Sequence, residues 1–272
     1  MSEERELLEL AVEAARAAGA LLMERSERGA EREVSSKSTP TDLVSEADLA
    51  AQRAIRELLG ARRPDDGFLG EEGGDEAGES GLRWIVDPLD GTINYLFGIP
   101  QWSVSVAVAD AEGTLAGAVF DPNRDELFTA VRGGPARLLT PAGAAELHGR
   151  ASDPRGESTG DGLATAMVAT GLAYDAAVRE RQAQVLARLA GRVRDIRRFG
   201  SAALDLAWTA AGRYDAYYER GVKAWDVAAG ELVCRCAGLE VRELAEQDGL
   251  PWGILVASGR LADELNGLVA AG

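Results

Sequence analysis

The sequence predicts an α+β chain folded as two closely packed lobes, and three observations carry that prediction. Apolar strands follow one another through the first half, after two helix-like segments. In the second half, strand patterns alternate with helical ones, which implies a layered α/β arrangement. Between them lies a polar, glycine-rich connector at residues 153–162. The lobes are therefore drawn as residues 1–152 and 153–272, packed as one functional unit. A chain of 272 residues can bury a large core in this form.

In order, residues 3–28 carry Leu7, Leu10, Val12, Ala14, Ala18, Leu21 and Leu22 at helical spacing between charges, an amphipathic helix. Residues 33–44 read as a short hairpin or loop. Ser45 then caps a second helix with Asp48 three positions on, and this helix ends near Gly60. Residues 67–70 form a short strand that runs into Glu71, Glu72 and an acidic loop. Strands follow at 102–109, 115–120 and 126–131, an antiparallel meander. Residues 133–150 give only a weakly patterned hairpin. Thereafter strands are expected at 164–170, 193–196, 214–219, 239–242 and 253–257. The helices between and after them are expected at 178–189, 201–211, 223–237 and 261–269.

Composition narrows the function. A formal net charge of −16 argues against nucleic acid or an anionic membrane as a partner. The same charge would repel an anionic substrate unless bound divalent cations reverse it locally. The two cysteines, Cys234 and Cys236, share a helical segment too close in sequence for an ordinary disulfide, and a reducing cytoplasm is expected. The chain opens on an acidic, polar segment rather than a secretory one, and no apolar run reaches membrane-spanning length.

The organising stretch is Trp84-Ile-Val-Asp-Pro-Leu-Asp-Gly-Thr-Ile-Asn94. An apolar strand enters Asp87, and Pro88, with fixed φ and no N–H, bends the chain out of the sheet. Asp87 and Asp90 then project towards one point. Converging carboxylates and a backbone carbonyl suit Mg²⁺, a hard cation with oxygen ligands. Asp90 reads as an N-cap with Gly91 and Thr92 behind it, so the first N–H groups of the next helix face the same point and can hold a phosphate. Taken alone, Asp-Pro-Leu-Asp-Gly is also ordinary surface-turn composition. Two other acidic sites accompany it: Glu71-Glu72 at a strand end, and Asp226 in the first turn of a helix after Gly221-Val-Lys-Ala-Trp225. For the last of these, a capped core helix with a buried Trp225 explains the local geometry equally well. His148, the only histidine, lies in the weak hairpin and reads as structural.

Together, Glu71-Glu72 after Gly70, Asp87-Pro-Leu-Asp90-Gly-Thr92 and Trp225-Asp226-Val-Ala-Ala-Gly230 resemble the three signature segments of the inositol monophosphatase family, in its order and across nearly the whole chain. The resemblance implies a layered αβαβα sandwich of the inositol monophosphatase/fructose-1,6-bisphosphatase type. It also implies a lithium-sensitive, Mg²⁺-dependent phosphatase using two or three ions. The family's metal ligands fall on Glu71, Asp87, the carbonyl of Leu89, Asp90 and Asp226. Glu71 and Thr92 would orient the attacking water, with Asp90 in the catalytic set, while a second ion steadies the leaving alkoxide. Gly91 and Thr92 would hold phosphate oxygens. Gly200, Ser201, Ala202 and Glu219, with Asp226, would meet the polyol. Lys37 and Asp48 match a mobile loop and an outer acid beside a weaker metal. The implied substrate is inositol-1-phosphate or a similar small polyol monophosphate. Histidinol-phosphate, fructose-1,6-bisphosphate, 3′-phosphoadenosine 5′-phosphate and NADP(H) are the alternatives within the same chemistry. The resemblance further implies a homodimer. Some bacterial relatives bind transcription machinery, a non-catalytic alternative. Ser201 stands where many members have threonine, and residues 133–150 depart from the family's usual hairpin.

Overall fold

A computed structural model of the chain describes residues 3–27, 34–36, 43–150 and 162–270. They form five layers, α-β-α-β-α, as the resemblance implied. The outermost layer is α1 (Glu3–Glu27) and α2 (Glu46–Arg62). α1 buries Leu7, Leu10, Ala14, Ala18 and Leu22, the residues spaced for one face. Ser45 and Asp48 form the expected reciprocal capping box at the start of α2, which runs two residues past Gly60. The expected hairpin precedes it, β1 (Val34–Ser36) pairing antiparallel with β2 (Leu43–Ser45). Lys37 and residues 153–161 of the connector lie outside the described residues.

α1 and α2 cover an eight-stranded sheet built from β3 (Gly67–Gly70), β4 (Asp75–Glu76), β5 (Arg83–Asp90), β6 (Ser103–Asp110), β7 (Gly113–Asp121), β8 (Glu126–Val131), β9 (Arg137–Thr140) and β10 (Gly143–Glu146). Its spatial order is β10-β9-β8-β7-β6-β5-β3-β4, and it is antiparallel except where β3 runs parallel to β5. The edge strand β4 within the acidic loop went unread, because Asp and Glu are poor strand formers. The weak hairpin of residues 137–146 is real and extends the sheet.

The second sheet has the order β12-β11-β13-β15-β14: β11 (Met167–Thr170), β12 (Asp195–Arg197), β13 (Ala216–Arg220), β14 (Glu240–Leu244) and β15 (Gly253–Ala257). β11 pairs parallel with β12 and β13, while β13, β15 and β14 are antiparallel. The first residues of the strand expected at 164–170 instead make a 3₁₀ turn, Leu163–Thr165. α5 (Ala202–Ala210) and α6 (Ala224–Cys236) lie between the sheets, and α4 (Ala176–Ala190) and α7 (Gly259–Val269) form the outer layer. The inner helices pack closely: a Cβ on Gly230 would stand 2.7 Å from Leu206 Cβ. Cys234 is buried and Cys236 half-buried here, and both are free thiols in the core, as expected.

One irregularity positions the site. Asp87 pairs with Ser105 and Asp90 with Ser103, so β5 spends three residues where β6 spends two. A regular strand would turn residues three apart to opposite faces; the extra residue returns Asp90 to the face of Asp87. That face looks into the layer of α5 and α6, where the Ser105 hydroxyl donates to the Trp225 carbonyl.

Candidate active site

The stretch differs from the expected turn in two respects: Pro88 does not bend the chain out of the sheet, because β5 continues through a register shift to Asp90, and Asp90 has a different role. Asp90 does not cap the helix that follows it. Gly91, at φ 97°, occupies the cap position, and α3 (Thr92–Leu96) is only five residues long. Asp90 belongs to the ladder of β5 and serves a helix of the middle layer. Its carboxylate accepts N–H groups of Ala202 at 3.1 Å and Ala203 at 2.8 Å and the Ser201 hydroxyl at 2.5 Å, all at the start of α5. Exposed N–H groups and the helix dipole hold an anion there. Asp87 accepts the Leu89 N–H at 3.0 Å, closing the turn on itself. The Thr92 hydroxyl lies 2.9 Å from Asp48 and 3.1 Å from the Leu89 carbonyl.

Asp226 sits in the first turn of α6 and accepts the Lys223 N–H at 2.6 Å. Glu71 follows β3 in a loop fastened to α2 by Gln52, whose side-chain oxygen accepts the Glu72 N–H and whose nitrogen donates to the Gly73 carbonyl, both at 2.9 Å. Thus two strand ends, those of β3 and β5, and the start of α6 deliver acids to one place. Glu71, Asp87, Asp90 and Asp226 all line a cavity of about 420 Å³, together with Leu89 and Thr92.

The electrostatics record their proximity. Burial raises Asp87 well above the usual carboxylate range, and Glu71, Asp90 and Asp226 raise it further. Asp226 is raised likewise, by burial and then by Asp90 and Glu71. Asp90 is pushed up to about 6 by burial, against the lowering effect of its bonds to Ser201, Ala203 and Ala202. Asp48 is also raised, chiefly by burial. Among the described residues no three acidic, histidine or cysteine side chains already stand as a formed metal cluster. The donor set nevertheless fits a hard divalent cation: it is all oxygen, carboxylates with a main-chain carbonyl, and none of its members is a positive charge that would lower these pKa values.

The remaining expected positions divide. Gly200, Ala202 and Glu219 line the cavity, and Gly91 forms part of its wall. Ser201 does not: it is fully buried behind them, with its hydroxyl on Asp90. Burial pushes Glu219 up to about 7 while Tyr217 donates to it at 2.9 Å. Trp225 is half-buried on the cavity wall rather than enclosed in the core. His148 is exposed and away from the cavity lining. Sequence reasoning missed Arg198 and Tyr174 at the cavity and Asp205 behind it; burial and the charges of Glu219 and Asp90 raise the Asp205 carboxyl well above its usual range. Nothing in their local sequence marks them, since topology alone brings them there.

A five-layer α/β protein with a carboxylate-lined cavity at the ends of its strands and inner helices is the class that fold and site define. The sequence model of the inositol monophosphatase family matches residues 3–271, and the chain belongs to that family. It is 41% identical over 239 residues to the inositol-1-monophosphatase SuhB of Mycobacterium tuberculosis, covering 85% of this chain and 79% of that protein. It is 40% identical over 234 residues to the Nus factor SuhB of Pasteurella multocida, covering 85% and 83%. The crystal structure of the extragenic suppressor protein suhB from Bartonella henselae superposes with a TM-score of 0.85 at 34% identity, over 98% of this chain and 99% of that one.

Proposed function

We propose that the chain is a Mg²⁺-dependent phosphomonoesterase acting on inositol-1-phosphate or a similar small polyol monophosphate. The observation that carries this reading is the convergence of Glu71, Asp87, Asp90 and Asp226 on one cavity, each of the three aspartates raised first by burial and then by acidic neighbours. Mg²⁺ would be held by these four carboxylates and the Leu89 carbonyl. When bound, the ions supply charge neutralisation for the phosphate and a water of lowered pKa.

The chain's own residues supply orientation. Thr92 directs its hydroxyl proton to Asp48 or the Leu89 carbonyl, which leaves its lone pairs free to accept a hydrogen from a water in the cavity. Glu71 would accept the second hydrogen of that water, aligning a lone pair on phosphorus. The wall of Gly200, Ala202 and Glu219 would receive the polyol hydroxyls. Asp90, fixed by α5, ties that wall to the metal turn. The names of mycobacterial relatives support the inositol phosphate, and those named Nus factor support a second, regulatory reading in which a protein partner is bound. A homodimer, lithium inhibition and a cytoplasmic setting belong to the same proposal.

Phosphate release from a panel of inositol-1-phosphate, histidinol-phosphate, fructose-1,6-bisphosphate, 3′-phosphoadenosine 5′-phosphate and NADP tests it. Turnover should be highest on the inositol phosphate and vanish with chelator. Absence of Mg²⁺-dependent release from every compound would reject the hydrolase and leave the regulatory reading.

A further inference from the structure

Asn94 closes the organising motif, yet none of the chemistry above uses it. It is buried, one turn into α3, and its side-chain nitrogen reaches three carbonyl oxygens: Gln101 at 2.7 Å, Phe199 at 2.6 Å and Gly200 at 3.5 Å. Its own carbonyl accepts the Ile99 N–H at 2.8 Å. One residue thus fastens the metal turn, the loop of residues 97–101 and the loop that opens α5 in the other lobe.

The backbones at this junction run close together. Gly91 and Gly200 both have φ in the left-handed region, 97° and 84°. A Cβ on Gly91 would stand 3.0 Å from the Gln101 carbonyl oxygen and 3.2 Å from that of Gly200, two of the three acceptors that Asn94 holds. Without a donor between them, these carbonyls face one another across a buried gap. The Asn94 amide removes that repulsion and sets the distance between the phosphate side of the cavity, at Gly91 and Thr92, and the wall at Gly200 and Ala202.

We infer, on the basis of the hydrolase reading, that Asn94 is a positioning residue: it fixes the polyol-facing wall relative to the phosphate-facing turn, and so governs which phosphate esters are turned over rather than whether phosphate is attacked. Asp90 makes a parallel link to α5 but is committed to the proposed metal set. Asn94 touches neither that set nor the cavity.

The test compares two substrates of the full-length protein with Mg²⁺ present: inositol-1-phosphate, whose hydroxyls need the distal wall, and p-nitrophenyl phosphate, which has none to place. Asn94→Asp keeps the shape and removes the donors; Asn94→Ala serves if the buried carboxylate prevents folding, with Tm recorded for both. A displaced wall should lower kcat/KM on the inositol phosphate by about 100-fold, while p-nitrophenyl phosphate and the half-saturating Mg²⁺ concentration stay within about threefold. Equal losses on both substrates in a folded variant would overturn the positioning role, as would unchanged selectivity. Wild-type protein inert on both esters would instead remove the hydrolase reading on which the inference stands.

Discussion

Two buried charged regions of this molecule are handled in opposite ways. In the five-stranded sheet, Arg220 is almost fully enclosed, and its guanidinium donates to the carbonyls of Ala245 and Pro251 at 2.9 Å, Ala270 at 3.0 Å and Leu244 at 3.4 Å. Burial lowers its pKa, and four main-chain carbonyls accept from its two terminal nitrogens while Nε makes no hydrogen bond. At the end of β5 and the start of α6, Asp87 and Asp226 are enclosed beside other acids, and what raises them, after burial, is their like-charged neighbours. A charge buried for stability comes with its partners. On the proposed reading, the acids of the cavity take their counter-charge from a bound cation.

The largest effect that can break this contrast comes from Asp90→Asn. Turnover should fall by more than about 1,000-fold because a charged donor is lost where the phosphate's charge must be offset, while the Tm of metal-free protein is retained or raised because repulsion is relieved. Phosphate release and a melt in chelator measure the two, and a large loss of metal-free Tm would make Asp90 a structural anion like any cap. Arg220→Met should do the reverse. Stranding several buried carbonyls should cost about 3 kcal/mol in urea unfolding, with kcat of the folded protein little altered.

The smallest effect sharpens the comparison through pH. A carboxyl whose folded pKa lies above its unfolded one is better tolerated protonated, so its contribution favours the folded state at low pH and is lost as pH rises. For Asp90 that window runs from the model-compound value of 3.8 to about 6, and for Glu219 from 4.5 to about 7. Metal-free protein should therefore melt lower at pH 8 than at pH 5.5. Saturating Mg²⁺ should flatten the difference, and a Tm that climbs with pH in chelator would contradict the repulsion.

Much of this was legible in the chain because it is local. The reciprocal cap of Ser45 and Asp48, the first-turn position of Asp226 and the strand preceding Asp87 all follow from spacing within a few residues. The alternation of the second half likewise yields its layers. Long-range facts were not legible. Asp90 looks like the cap of its own next helix because Asp-Gly-Thr is cap-like; that it serves α5, over a hundred residues on, depends on how the lobes pack. Ser201 reads as a cavity residue from its neighbours Gly200 and Ala202, yet alternate positions at a helix start point different ways. Arg198 carries no signal at all.

The extra residue in β5 has one more consequence. Shortening the turn by a residue would still leave two acids on a shared side, since neighbours two apart agree in direction on a regular strand. What would vanish is the residue between them, Leu89, which lies at the register shift with β6, lines the cavity and whose carbonyl accepts the Thr92 hydroxyl at 3.1 Å. The length of Asp-Pro-Leu-Asp is thus itself a specification: on the proposed reading, it sets a neutral main-chain oxygen between two anionic ones, a mixture that side chains alone would not provide.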